Sequence, residues 1–323
     1  MPSFLIIFAA LFDFESFLNI EQSNCIENVV QINLQNAPGA YNASVIPCDQ
    51  GYLVAFRTDE YIAPLEKNIK TYKNFIGLCK LDENFAASDF CKIQLQLGCM
   101  CYDPRLFEYQ DQIWIIFGSA NEADPDACSS SRLNLAKIKK NGDEYYVDRP
   151  IPLYIKNQNL FEKNWVPFVY KNKLLLSYYL EPHTSVYVDV ETGECRKIFS
   201  VPSAIKWEFG DIRGGTPSIK LEDGCFLNFF HTQYFKNENC FYIMGACVFL
   251  GKPPFRVLKI SKRPLFHGNF YSSPKNPNVK AYVVYPSGVF IQNDKIYVSY
   301  GENDSSIKMI IINKNHFFQE MFE

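Results

Sequence analysis

The chain lacks a run of basic residues. Lys and Arg number 32 against 35 Asp and Glu, giving a formal net charge of −3. Nucleic acid binds mainly through phosphate-neutralising cations, so the composition excludes it as a partner. A membrane-spanning run is also missing from the N-terminus. The apolar stretch Phe4 to Phe12 is nine residues long with no Lys or Arg before it, whereas a spanning helix takes about 20. Stable membrane insertion is therefore not expected. Asp13 and Glu15 follow at once, without a clear small-residue cleavage site. The stretch reads as a packed N-terminal element of a cytoplasmic protein; secretion, with residues 1–20 as a signal peptide, is the alternative. The sequons Asn42-Ala-Ser44 and Asn303-Asp-Ser305 lie in or beside the repeats described below, where glycans would obstruct a pocket, which favours a non-glycosylating compartment. There are four His residues with no HxxE-type spacing, and the 11 Cys form no paired CxxC, so no metal is expected. The cysteines read as small buried apolar residues of a reduced compartment, with scattered disulfides as the lesser alternative. No low-complexity stretch or flexible linker divides the chain, and amphipathic helix signal is weak except in a C-terminal tail from Lys314 to Glu323.

Aromatic residues are abundant, with 28 Phe, 20 Tyr and 3 Trp. Phe and Tyr suit pleated, half-buried surfaces, so the composition points to an all-β fold. One phrase recurs five times: a polar or proline-marked cluster, an apolar run, a turn with Asp or Asn, and a second apolar run. The copies are 42–57, 103–117, 164–178, 216–230 and 285–300, and residues 42, 103, 164, 216 and 286 are 61, 61, 52 and 70 apart. A hairpin at that period predicts a propeller blade. Apolar segments at 77–81, 133–138, 186–190, 242–248 and 309–312 follow the hairpins as outer strands. The expectation is a single five-bladed β-propeller domain over 1–323. Residues 1–35 would be an N-terminal extension with a closing strand near Val29 to Leu34, and 313–323 a tail. Closure of the ring removes sheet edges.

Inner strands of a propeller begin at the axial channel, so the leading residues of each copy converge there. They are Asn42, Asp103, Glu162-Lys163-Asn164, Arg213 to Thr216, and Tyr285-Pro286. Arg57, His183, His231 and Gly301 to Asp304 lie at or beyond the ends of the second strands. Furanosidase-type propellers place an acid on each of their first three blades, but here the first blade offers Asn42. One acid, Asp103, among the cations Arg57, Arg105, Lys163, Arg213 and His231 suits a different reaction. Phosphate as nucleophile is already anionic and needs no general base; it needs cations to hold it and one acid to protonate the leaving oxygen. The same cations suit the pyrophosphate of a nucleotide sugar.

These residues carry a family resemblance. Asp103-Pro-Arg105 resembles the Glu-Asp-Pro-Arg motif of β-mannoside phosphorylases in glycoside hydrolase family 130 and of their β-1,2-mannosyltransferase relatives. Glu162-Lys-Asn-Trp-Val-Pro-Phe168 resembles the third-blade motif. Arg213-Gly-Gly-Thr-Pro217 with Phe229-Phe-His231 resembles the fourth. Tyr285-Pro-Ser-Gly288 and Tyr300-Gly-Glu-Asn-Asp304 resemble the closing pair, Phe-Pro-x-Gly and Tyr-Gly-x-x-Asp. The resemblance spans residues 40–305 and implies a five-bladed propeller. It implies Asp103 as the proton donor, acting through a sugar hydroxyl. It implies Arg57, Lys163, His231 and Arg132 as phosphate contacts, and Asn42, Tyr242 and Asp304 as sugar contacts. Arg105, Asn164 and Arg213 complete the expected substrate-binding set. Tyr102 stands where the motif has Glu. The expected activity is inverting β-mannoside phosphorolysis, or β-1,2-mannosyl transfer, with inorganic phosphate or GDP-mannose as co-substrate, no other cofactor, and a mannose-containing oligosaccharide as partner. A phosphate-independent hydrolase with Glu162 as base, and a non-catalytic glycan-binding propeller, are the alternatives. The N-terminus is short and irregular where some relatives build oligomer contacts, so a homo-oligomer is left open.

Overall fold

Strands dominate the chain, and the inner strands of the blades are apolar on both faces. The computed structural model describes residues 13–62, 71–87, 91–95, 100–120, 130–276 and 279–323. The stretch Phe4 to Phe12, the turn Asp124-Pro-Asp126, Pro277, Cys99 and Cys128 lie outside the described residues.

Five antiparallel blades follow one another along the sequence. The first runs through Tyr41–Cys48, Gly51–Ile62, Thr71–Leu81 and Lys92–Leu95. The second runs through Met100–Tyr109, Gln112–Ala120 and Ser131–Asn141, with Glu144–Val147 at its edge. Val166–Tyr170, Lys173–Leu180, His183–Val188 and Glu194–Val201 form the third. Ile219–Lys220, Phe226–Lys236, Asn239–Phe249 and Val257–Ile260 form the fourth. The fifth consists of Ala281–Gln292, Lys295–Glu302 and Ser306–Asn313, and its outer strand comes from the other end of the chain. Ile26–Ile32 pairs with Ser306–Asn313, Val29 opposite Ile310, so the ring closes through the segment expected to close it. The fold is a five-bladed β-propeller.

Turn chemistry explains the register. Gln110 and Asp111, Lys171 and Asn172, and Asn293 and Asp294 all have positive φ between 48° and 55°. Two successive left-handed residues make the hairpin turn whose twist matches the strands, and Asn and Asp tolerate it best.

Packing then fixes the ring. Among the described residues most buried apolar side chains sort into five clusters, each between two neighbouring blades. Successive residues of one strand serve different clusters. Val54 points toward the fifth blade, while Leu53 and Ala55 point toward the second. Phe229 joins the cluster shared with the fifth blade and Phe230 the one shared with the third. A period of two with both faces buried reads in sequence as an unbroken apolar run. Trp114 and Trp165, each 1% exposed, anchor the junction of the second and third blades. Phe168 meets Phe226, Phe249 and Phe255 edge-on at the next. Each such ring contributes on the order of 2 kcal/mol by leaving water. The C-terminal helix Lys314–Phe322 caps the last strand, with Asn313 accepting from the His316 amide at 3.1 Å.

Cys25, Cys195 and Cys247 are buried thiols, and burial pushes Cys195 and Cys247 up to about 12. His183 is a core residue of the third blade. Its Nδ1 bonds the Phe255 carbonyl, and Ser177 Oγ lies 2.8 Å from its Nε2. Burial lowers its pKa to about 4. The unfolded chain takes up this proton near pH 6.5, and the folded chain does not until about 4. Stability is therefore full above pH 6.5 and falls as the pH drops toward 4, by about 3 kcal/mol if unopposed. The thermal midpoint is expected to be lower at pH 5 than at pH 7, with a smaller difference in His183→Gln. Thermal melts of both proteins at the two pH values check this.

Candidate functional site

The leading residues of the blades share a backbone state. Asn42, Asp103 and Asn164 have φ of 46°, 53° and 63°. At the first two the ladder slips by one residue, between Tyr41 and Ser44 and between Tyr102 and Arg105. These are β-bulges, which re-aim a side chain at the rim of a sheet. Asn and Asp are the non-glycine residues that adopt this conformation at least cost. Close approach is required as well. A Cβ on Gly301 would lie 1.9 Å from Asn42 Oδ1 and 2.6 Å from its amide nitrogen. One on Gly118 would lie 2.2 Å from the Tyr102 ring.

The bulges converge on Asp103. Asn42 Nδ2 donates to its Oδ1 at 2.9 Å, and Arg57 Nη1 donates to the same oxygen at 3.3 Å. The Tyr285 hydroxyl reaches its Oδ2 at 3.3 Å. Burial would raise the carboxyl pKa, but Arg57 and Arg105, the Asn42 hydrogen bond and Lys163 outweigh it and hold the group below its ordinary value.

Arg57 is fixed from behind. Its Nε donates to Asp59 at 3.4 Å and its Nη2 to Asn74 at 3.1 Å, while its guanidinium lies 4.8 Å from the centre of the Tyr41 ring. Tyr41 donates to Asp59 at 2.7 Å. Asp59 and Asn74 are cross-strand partners, so the network is built from one blade. Despite burial, the charges around Arg57 raise its pKa further. Sequence reasoning missed Tyr41, Asp59 and Asn74. Asp59 carried a signal, since two residues beyond Arg57 on a strand is the same face.

Lys163 is exposed, with Nζ 5.4 Å from the centre of the Tyr102 ring. Arg213 is exposed too, and its backbone pairs with His231. Neither forms an ion pair among the described residues. Tyr242 stacks on His231, with ring centres 5.6 Å apart, and accepts from Gln233 at 2.6 Å. Asp304 is half-buried on the fifth blade. Burial raises its pKa to about 6; Arg57 opposes this, and Asp103 and Asp59 reinforce it. Arg132 is exposed at the start of its strand, opposite Ser119, and makes no hydrogen bond to the Asp103 cluster. A cavity of about 810 Å³ opens between the third and fourth blades, lined by Lys163, Asn164, Arg213, Phe161, Tyr179 and Trp207.

Three expectations require correction. His231 is not a cation here. It is 1% exposed, and burial together with Arg105 and Arg213 lowers its pKa to about 3, so the imidazole is neutral at physiological pH. Arg105 is not open to a ligand. It is 1% exposed and donates to the carbonyls of Gly215 and Asp103, to Asn164 and to Tyr285. It braces four blades against one another behind the site. Glu162, the base of the hydrolytic alternative, is 3% exposed. It accepts from the Asn159 amide at 2.7 Å, the Tyr178 hydroxyl at 2.8 Å and Trp165 Nε1 at 3.0 Å. Those partners make it a structural hub of the third blade.

Among the described residues no three His, Cys, Asp or Glu side chains are placed to hold a metal ion, and no helix is long and apolar enough to cross a membrane.

Comparisons with known proteins agree with this architecture. A mannose phosphorylase from Leishmania mexicana, solved with a phosphate ion, superposes with a TM-score of 0.62 at 15% identity, covering 96% of this chain and 94% of that one. A β-1,2-mannobiose phosphorylase from Listeria innocua, solved with β-1,2-mannobiose, gives 0.61 at 16% identity, covering 94% and 96%. A 1,2-β-oligomannan phosphorylase from Thermoanaerobacter sp. (strain X514) is 25% identical over 215 residues, which is 65% of this chain and 67% of that protein. The model of glycoside hydrolase family 130, described as β-1,4-mannooligosaccharide phosphorylase, matches residues 19–321. A match over nearly the whole chain, on a five-bladed propeller, places the protein: it belongs to glycoside hydrolase family 130.

Proposed function

We propose that the protein is an inverting β-mannoside phosphorylase with Asp103 as its general acid. The observation that carries this reading is the setting of Asp103: a carboxylate at the leading edge of the second blade, bonded by Arg57 at 3.3 Å and held ionised by the nearby cations Arg57, Arg105 and Lys163. Phosphate would sit on Arg57, Lys163 and Arg213, with Arg132 at the outer edge and the neutral, buried His231 behind them. Asn42, Tyr242 and Asp304 would hold the mannosyl ring. The exposed rings of Phe161 and Tyr179, 51% and 47% accessible, would carry the rest of the oligosaccharide.

The electrostatics couple the two substrates. Without phosphate, the cations keep Asp103 ionised, which is the wrong state for an acid. A phosphate dianion on those cations cancels their field, and an anion near a carboxylate raises its pKa. Phosphate binding therefore helps Asp103 acquire the proton it delivers, through a sugar hydroxyl, to the leaving oxygen. Phosphate then attacks the anomeric carbon from the opposite face; the bond to the leaving oxygen breaks and mannose 1-phosphate forms with inverted configuration. In the reverse direction ionised Asp103 takes the proton back from the acceptor.

The bonding of Glu162 to three donors in its own blade weighs against hydrolysis through that residue. Transfer from GDP-mannose would use the same cations and is an outcome of the same assay. Purified protein is incubated with β-1,2-mannobiose with and without phosphate, and separately with mannose plus mannose 1-phosphate or GDP-mannose. Mannose release is expected to depend on phosphate, and synthesis on mannose 1-phosphate. Release that proceeds equally well without phosphate would overturn the reading.

A further inference from the structure

Three groups converge on the hydroxyl of Tyr285, which is itself 5% exposed. Arg105 Nη2 donates to it at 2.7 Å. Asn164 Oδ1 lies 2.8 Å from it and Asp103 Oδ2 3.3 Å from it, both as acceptors. A phenol has one proton and two lone pairs, and an arginine is always a donor. Arg105 therefore occupies one lone pair in every state. The single proton can serve Asn164 or Asp103, but not both at once.

The two oxygens of Asp103 are unlike. Oδ1 already accepts from Asn42 and Arg57, at 2.9 and 3.3 Å, so a proton placed there would face two N–H groups. The proton of the acid form therefore belongs on Oδ2, the oxygen that faces Tyr285. When Asp103 is ionised, the Tyr285 O–H points at Oδ2. When Oδ2 is protonated, its O–H donates to the free lone pair of Tyr285, and the Tyr285 O–H turns to Asn164. Burial pushes the Tyr285 pKa far above its ordinary value, although Arg105 opposes this, so the phenol keeps its proton throughout.

We propose that Tyr285 is a positioning residue whose hydroxyl turns between Asp103 and Asn164 with each proton that Asp103 gains or loses, so that the reactive oxygen keeps a partner in both states. The proposal rests on Asp103 being the acid. It goes beyond the family motif, which has Phe where this chain has Tyr285. The charged and titratable groups that also face Asp103 are Arg57, Tyr102, Arg105, Lys163, His231 and Asp304. None of them links Oδ2 to an alternative acceptor in this way.

The test uses the synthetic direction, where Asp103 must be ionised, with mannose and mannose 1-phosphate as substrates. Tyr285→Phe removes the donor to the ionised carboxylate. It is expected to lower kcat about tenfold and leave KM for mannose within about threefold. The acidic limb of the kcat profile should move up by about half to one pH unit, the worth of one hydrogen bond. Asn164→Gly, which tolerates the φ of 63° at that position, removes the competing acceptor and should move the limb down by a similar amount. In the Tyr285→Phe background Asn164→Gly should move it no further. Single variants whose limb coincides with that of the unaltered protein overturn the proposal, as does an Asn164→Gly shift that persists without the hydroxyl. If Tyr285→Phe melts too low to assay, the sign of the Asn164→Gly shift decides. An active Asp103→Asn protein overturns the acid assignment, and the proposal with it. An inactive one beside an unmoved limb overturns the proposal alone.

Discussion

Asp103→Asn is expected to lower the rate of phosphorolysis at least about a hundredfold, the usual contribution of a placed general acid, without unfolding the protein. Asn is close to isosteric with Asp and adopts the left-handed backbone of this bulge, φ 53°, at similar cost. Its carbonyl oxygen can still accept from Asn42 and Arg57. It cannot carry a transferable proton on the second position. The loss should fall mainly on kcat, with mannoside KM changed little, because the sugar contacts assigned to Asn42, Tyr242 and Asp304 remain. Steady-state kinetics beside a thermal melt separate this from misfolding: a low rate with an unchanged melt is expected, and turnover near that of the unaltered protein contradicts the assignment.

Arg57→Met is expected to be the next most damaging change, for two reasons that act together. The guanidinium is the cation bonded directly to Asp103, and it is held in place by Asp59, Asn74 and the Tyr41 ring. Removing it strips the proposed phosphate site of its best-ordered charge and relieves the field that keeps Asp103 ionised. Asp59 is left with Tyr41 and Asn74 as partners, a partly buried charge without its counterion, and such a loss destabilises strongly. The phosphate KM should rise at least about tenfold, since a charge-assisted hydrogen bond contributes about 1.5 to 3 kcal/mol. The thermal midpoint should also fall. Arg57→Lys should not restore the phosphate KM, because a single ammonium cannot reach Asp59, Asn74 and Asp103 as the planar fork does. Phosphate saturation curves for the three proteins check this.

The architecture was legible because it rests on local rules. Asn and Asp in the turns, apolar runs at a regular period and an aromatic-rich composition are all consequences of two-residue left-handed turns and strands buried on both faces. The closing strand was legible from the need to remove an edge, and Ile26–Ile32 fills that place against Ser306–Asn313. The leading residues were legible for a reason the sequence does not state. Asn42, Asp103 and Asn164 are Asn or Asp partly because a positive φ selects them, so their chemistry and their backbone role share one signal. What could not be read was burial. Arg105 and Arg213 look alike in sequence as cations near the axis. One is 1% exposed and bonded across four blades, and the other is open to solvent. His231 reads as a cation until it is seen enclosed among Tyr242, Tyr285 and two arginines. Glu162 reads as the base of a hydrolase until Asn159, Trp165 and Tyr178 are seen on it. Each of these depends on contacts between blades or between distant turns of one blade, which no local pattern encodes.

The measurement that bears most directly on the central claim is the phosphorus and proton NMR spectrum of the unaltered protein acting on β-1,2-mannobiose in phosphate buffer. Phosphate as nucleophile with inversion predicts α-mannose 1-phosphate accumulating in step with free mannose, one for one. Two equivalents of free mannose with no phosphate ester would contradict it.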